Sequence, residues 1–142
     1  MYNNKNFSNN TVQKRVVDID NENYVSKAEE VIRELVRIKG ERNILTTSKI
    51  RKLLSMLTDI YRKSKDMKTD TLDNTIFSKI QYFKLHFIYE AGREPQVKDF
   101  VEVAGIIEQI DKIGKDKKKL ILFCHYMEAL VAYRKYLVKN DK

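Results

Sequence analysis

Two histidines, one cysteine and a cluster of cations are the residues of this chain whose types and spacing suit chemistry. His86 and Glu90 are four apart, and His125 and Glu128 are three apart, spacings that bring two side chains onto one face of a helix. A metal centre inside a helical bundle takes such pairs from facing helices in the order Glu-x-x-His. Neither pair has that order, and the chain has neither an HExxH segment nor the cysteine cluster of a zinc site. Cys124 falls on an apolar stripe, whereas a reactive thiolate needs basic, partly exposed surroundings. No glycine-rich phosphate loop and no serine in a nucleophile-elbow context is present. The residues therefore assemble no catalytic site, no metal site and no cofactor site. His86, His125 and Cys124 read as structural residues.

The basic residues are arranged more informatively. Thr46-Thr47-Ser48-Lys49-Ile50-Arg51-Lys52 opens a helix. A helix N-terminus presents unsatisfied N–H groups and the positive end of the dipole, and both favour a phosphate. Hydroxyls of Thr and Ser donate to the same oxygens. Lys49 and Lys52 lie one turn apart, off the apolar stripe, and Arg51 borders the stripe on its other side. A capped helix with a solvated face is the equal alternative. Arg93 stands at a helix corner. Arg134 and Lys135 stand beside Tyr133 and Tyr136, an interleaving that suits either stacking on unpaired bases or a tyrosine-rich helix seam.

Helices must position these groups. Apolar residues recur at three-four spacing along five segments. The first, Asn21 to Lys39, has Asn23 as its N-cap and Gly40 as its stop, with Val25, Ala28, Ile32, Leu35 and Val36 inside. The second, Thr46 to Ser64, is capped by Thr47 or Ser48 and buries Ile50, Leu53, Leu54, Leu57, Ile60 and Tyr61. The third, Thr71 to Ala91, buries Leu72, Ile76, Ile80, Phe83, Phe87 and Ile88 and ends at Gly92. The fourth runs from Pro95, at a favoured first position, to Ile113. The fifth, Asp116 to Lys139, buries Leu120, Phe123, Cys124, Met127, Leu130, Val131 and Leu137. Residues 1–20 are Asn-rich with scattered apolar residues and read as a flexible arm. The expected fold is all-α: a single compact bundle of about five helices, spanning residues 21–142, with that arm in front.

Composition bounds the rest. The chain has 142 residues, enough for one domain with a sizeable core. Lys plus Arg is 28 against 20 for Asp plus Glu, a net charge of +8 that suits a polyanionic partner. One cysteine excludes an internal disulfide and fits a reducing compartment. With no apolar run of membrane-spanning length and no signal-like start, a cytoplasmic location is expected.

Three stretches together resemble a known family. They are Leu45-Thr46-Thr47-Ser48-Lys49-Ile50-Arg51-Lys52-Leu53, Tyr89-Glu90-Ala91-Gly92-Arg93-Glu94 followed by Val97 and Phe100, and Tyr126 to Tyr136. In this order, in a chain of this length, they resemble the small subunit of type III-A CRISPR (Csm-type) effector complexes over about Ala28 to Leu137. The resemblance implies a compact bundle of about five helices without an active site. It implies several copies stacked in a filament beside the backbone and large subunits, with a basic face that follows guide RNA and target RNA without reading sequence. It carries RNA contact onto Lys49, Arg51 and Lys52, and onto Arg93 and Arg134. Arg93 as a clamp on a neighbouring helix C-terminus stays open beside that role.

Three other classes compete: a helix-turn-helix-like DNA-binding protein using the third and fourth helices, a basic protein-interaction module, and a metal-dependent enzyme using His86, Glu90, His125 and Glu128, which stoichiometric metal in the purified protein would support. The fourth helix carries little positive charge outside its stripe, which makes a poor recognition helix.

Overall fold

The computed structural model describes residues 17–139. Among them are six α-helices: α1 (Tyr24–Lys39), α2 (Thr47–Lys65), α3 (Asn74–Arg93), α4 (Pro95–Ala104), α5 (Ile106–Ile113) and α6 (Lys117–Leu137). A short 3₁₀ turn, Glu41–Asn43, follows α1. The all-α expectation holds, with one more helix than the apolar spacing suggests.

The extra helix arises at Gly105. The periodicity runs unbroken from Pro95 to Ile113, yet Gly105 takes φ +64°, ψ +36°, and its N–H closes α4 on Val101 O. L-residues with a Cβ resist that left-handed conformation, and glycine does not. Tyr126 Oη, on α6, donates to Ala104 O at 2.8 Å and so satisfies a carbonyl at the break. Both halves remain in the core: Val97, Phe100, Val103, Ala104, Ile106 and Ile110 are all buried. Outside its five buried residues α4 carries Lys98 against Asp99 and Glu102, a face without the excess of positive charge that suits a DNA groove.

Other boundaries move by small amounts for identifiable reasons. The N-cap of α2 is Thr46, rather than Thr47 or Ser48; its hydroxyl accepts from Lys49 N at 3.1 Å. Asp73 caps α3 by accepting from Ile76 N, so Thr71 and Leu72 precede the helix. Helix α3 passes straight through Gly92 and stops at Glu94. Glu94 is extended because a residue before proline is driven out of the helical region. Gly40, with φ +81°, ends α1 as expected.

The core is one continuous cluster in which α6 lies against α1, α2 and α5. Phe83, Phe87 and Phe123 pack edge to face, with ring centroids 5.0 and 6.4 Å apart for Phe83–Phe87 and Phe83–Phe123. Ile88 and Val25, expected inside, are about half exposed. The expected arm covers residues 1–20. Its residues 1–16 lie outside the described residues, but its last four are docked. Val17 is buried, Gln109 Nε2 donates to Val17 O, and Lys112 Nζ reaches Asp18 Oδ1 at 2.8 Å. The loop before α3 is tied to the loop before α6 by Leu72 N to Lys115 O at 2.7 Å and Lys117 N to Asp70 O at 3.0 Å.

Candidate nucleic-acid interface

The N-terminus of α2 meets the C-terminus of α3, and this junction gathers four of the charged residues in the first two sequence motifs. Lys49 Nζ lies 2.9 Å from Glu94 Oε1 and 3.8 Å from Glu90 Oε1. Arg93 Nη2 lies 3.3 Å from Glu94 Oε1 and 3.8 Å from Glu90 Oε1. Two cations thus share two carboxylates. The Glu94 carboxyl is held below its ordinary range, first by the Lys49 hydrogen bond, with Arg93 adding to it. Arg93 is raised in turn, chiefly by Glu94. Among the described residues Glu90 Oε1 is buried without a hydrogen bond, and Lys49 and Arg93 balance it at 3.8 Å.

The expected contact residues therefore fall into three groups. Arg51 and Lys52 project into solvent one turn into α2. Lys49 and Arg93 are ion-paired; Arg93 lies at the corner and pairs with Glu90 and Glu94 at the end of its own helix rather than clamping a neighbouring one, and its guanidinium remains mostly exposed, 6.0 Å over the Tyr89 ring. Arg134 is a correction. It is 1% exposed, its Nε donates to Leu45 O at 2.8 Å, and Nη1 approaches Val138 O at 3.4 Å. An arginine enclosed in the bundle has no face to offer RNA. Its heptad-like place among Tyr126, Met127 and Leu130 was the signal for burial, since Arg134 lies one turn beyond Leu130 on the same stripe.

The Arg134 bond has a consequence for the junction. Leu45 immediately precedes the Thr46 cap, so Arg134 fixes the entry of the chain into α2. All three motifs converge: α6 anchors the loop, the loop sets the α2 cap, and α2 delivers Lys49 to α3.

Cys124 and His125 lie on α6, away from this junction. Burial, with a smaller contribution from Glu128, pushes the Cys124 thiol up to about 12, so it is a neutral thiol at pH 7. His125 is half-buried with its ring 6.0 Å from that of Tyr24. Among the described residues no group of three His, Cys, Asp or Glu side chains is placed to hold a metal ion. Likewise, no helix among them is long and apolar enough to cross a membrane. What the sequence reading missed is a row of exposed aromatic and aliphatic residues on α3, namely Tyr82, Leu85, Ile88 and Tyr89.

Fold and site together define a class: a basic helical-bundle protein with a charged helix junction on its surface. The family model "Csm2 Type III-A" matches residues 18–140, and the chain belongs to that family. It is 47% identical over 123 residues to "CRISPR system Cms protein Csm2" of Streptococcus thermophilus, covering 87% of this chain and 98% of the relative. Identity to the protein of the same name from Mycobacterium tuberculosis (strain CDC 1551 / Oshkosh) is 40% over 121 residues, with 85% and 96% covered. The Enterococcus italicus protein of that name is 37% identical over 124 residues, with 80% and 89% covered. The resemblance read from the three motifs is therefore correct at the level of the family.

Proposed function

We propose that this protein is a non-catalytic, cytoplasmic small subunit of a type III-A CRISPR effector ribonucleoprotein, binding the backbones of guide RNA and target RNA without sequence preference. In this reading it acts alongside the backbone and large subunits and stacks with copies of itself. The observation that carries the reading is the start of α2, where Arg51 and Lys52 stand exposed near the positive end of a helix dipole. The net charge of +8 supports it. Lys49 contributes RNA contact by exchanging Glu94 for a phosphate. Arg134 contributes stability instead.

Phosphate neutralisation releases counterions, so affinity for a single strand falls with salt at a log–log slope of roughly −0.7 per phosphate. Fluorescence anisotropy with mixed-sequence single-stranded RNA across a salt series measures that slope. Arg51→Ala with Lys52→Ala is expected to flatten it by about 1.4, twice the single-phosphate value. Absence of binding at low salt, or preference for one DNA duplex sequence over its scramble, would sink the reading.

A further inference from the structure

Opposite its buried stripe of Ile76, Ile80, Phe83 and Phe87, α3 carries a second one that meets solvent. Tyr82, Leu85 and Tyr89, spaced i, i+3, i+7, are 68%, 59% and 61% exposed, and Arg93 continues the row one turn on. Helix α2 runs antiparallel beside it. At one end of the pair Lys49 meets Glu94, and at the other Met56 and Lys63 of α2 line a groove of about 620 Å³ with Lys79, Tyr82 and Phe83 of α3. Helical spacing places Lys49, Lys52, Met56 and Lys63 on one face of α2. From Lys49 to Lys63 that face is about 21 Å long at 1.5 Å per residue. A row of cations thus lies beside two exposed rings, Tyr82 and Tyr89, about 10 Å apart along α3.

We propose that unpaired RNA lies along this α2–α3 groove, with bases stacked on Tyr82 and Tyr89 and phosphates against Lys52, Lys63 and Arg93. The inference rests on the RNA-binding reading above and adds the form of the strand. Every base has a π-face, so a tyrosine platform holds unpaired bases without reading them. Bases inside a duplex keep those faces stacked on each other and cannot reach the rings. The acids along the groove are already engaged: Asp59 lies 3.4 Å from Arg62, and Glu90 and Glu94 face Lys49 and Arg93. A protein partner fits less well. The cores of protein–protein interfaces are depleted in lysine, whereas here Lys63 and Lys79 line the groove beside Tyr82.

The test compares anisotropy of the full chain on a mixed-sequence single-stranded RNA and on the same RNA paired with its complement. Tyr82→Ala and Tyr89→Ala are each expected to weaken single-strand binding roughly ten-fold while leaving duplex binding and the salt slope unchanged. Tyr82→Phe and Tyr89→Phe keep the ring and are expected to bind like the wild type. Both tyrosines are exposed, so thermal midpoints should not move. Alanine variants that bind single strands normally, while Arg51→Ala with Lys52→Ala still weakens binding, overturn the groove and leave the RNA reading standing. A wild-type protein that binds no RNA at low salt overturns both. Alanine variants that keep RNA but lose co-purifying protein subunits overturn the proposal in favour of a protein interface.

Discussion

Arg134 Nε donates to the carbonyl of Leu45 at 2.8 Å, across 89 residues of chain, inside a bundle that leaves the arginine 1% exposed. The bond joins the last of the sequence motifs to the first. A buried charge of this kind is tolerated only where its donors are used, and removing it strands the carbonyls it served. Arg134→Ala is therefore expected to cost about 3 kcal/mol, from the lost hydrogen bonds and the cavity together. For a chain of this size that is a fall of roughly 10 °C in Tm. Arg134→Lys should recover part of it, because one ammonium cannot reproduce the planar fork. A variant with unchanged Tm and weakened RNA binding would return Arg134 to the surface role that the resemblance gave it.

The Lys49–Glu94 pair predicts the opposite kind of effect. Glu94 keeps a cation of the candidate interface occupied with a carboxylate, so Glu94→Gln should strengthen single-strand RNA binding several-fold and steepen its salt dependence. The pair is partly exposed and worth little to the fold, so Tm should change slightly. Its pH dependence follows from the lowered carboxyl. A depressed folded pKa contributes stability that is present above the ordinary carboxylate value of 4.5 and is lost as pH falls below it through the folded value. Acid unfolding of the wild type should thus be steeper below about pH 4.5 than that of Glu94→Gln, as read by helical circular dichroism. Identical acid limbs would mean that the pair forms no better in the folded chain than in the unfolded one.

Much of this architecture is legible in three-four spacing. The stripes of α2 and α6 name most of their core residues, and Gly40 and Pro95 mark real boundaries. Periodicity fails where the decisive quantity is a backbone angle or a partner distant in sequence. Gly105 lies within an uninterrupted apolar pattern, and only its positive φ reveals two helices. Spacing puts Arg134 on the buried stripe, but its residue type reads as a surface cation because the acceptor that lets it be buried is 89 residues away. The junction was half visible: residue type and helix start pointed to Lys49, Arg51 and Lys52, but the carboxylates engaging Lys49 come from another helix. The α3 row of tyrosines was present as a second three-four stripe. The buried stripe of Ile76, Ile80, Phe83 and Phe87 on the same helix masks it in the sequence.

Gly105 itself is open to test. In Gly105→Ala the methyl must occupy a left-handed backbone, which costs about 1–2 kcal/mol. Restoring a straight helix instead would tear Tyr126 from Ala104 and disturb the buried halves on either side. Urea unfolding should show a lower midpoint with an unchanged m-value. A midpoint equal to or above that of the wild type would mean that α4 and α5 run together without penalty.

Cys124 offers a readout of the whole bundle. The thiol is buried and pushed up to about 12, so at pH 8 almost none of it is thiolate, and its sulfur lies within the core. Labelling by a disulfide reagent should then proceed only through unfolding or local opening. The rate should be slow in buffer and rise with urea in parallel with loss of helix. Arg134→Ala, by weakening the loop before α2 and the end of α6 that faces it, should label faster than the wild type at the same urea concentration. Rapid labelling of the native wild type, at the rate of a free thiol peptide, would show Cys124 reachable from solvent and would return it to the list of reactive candidates.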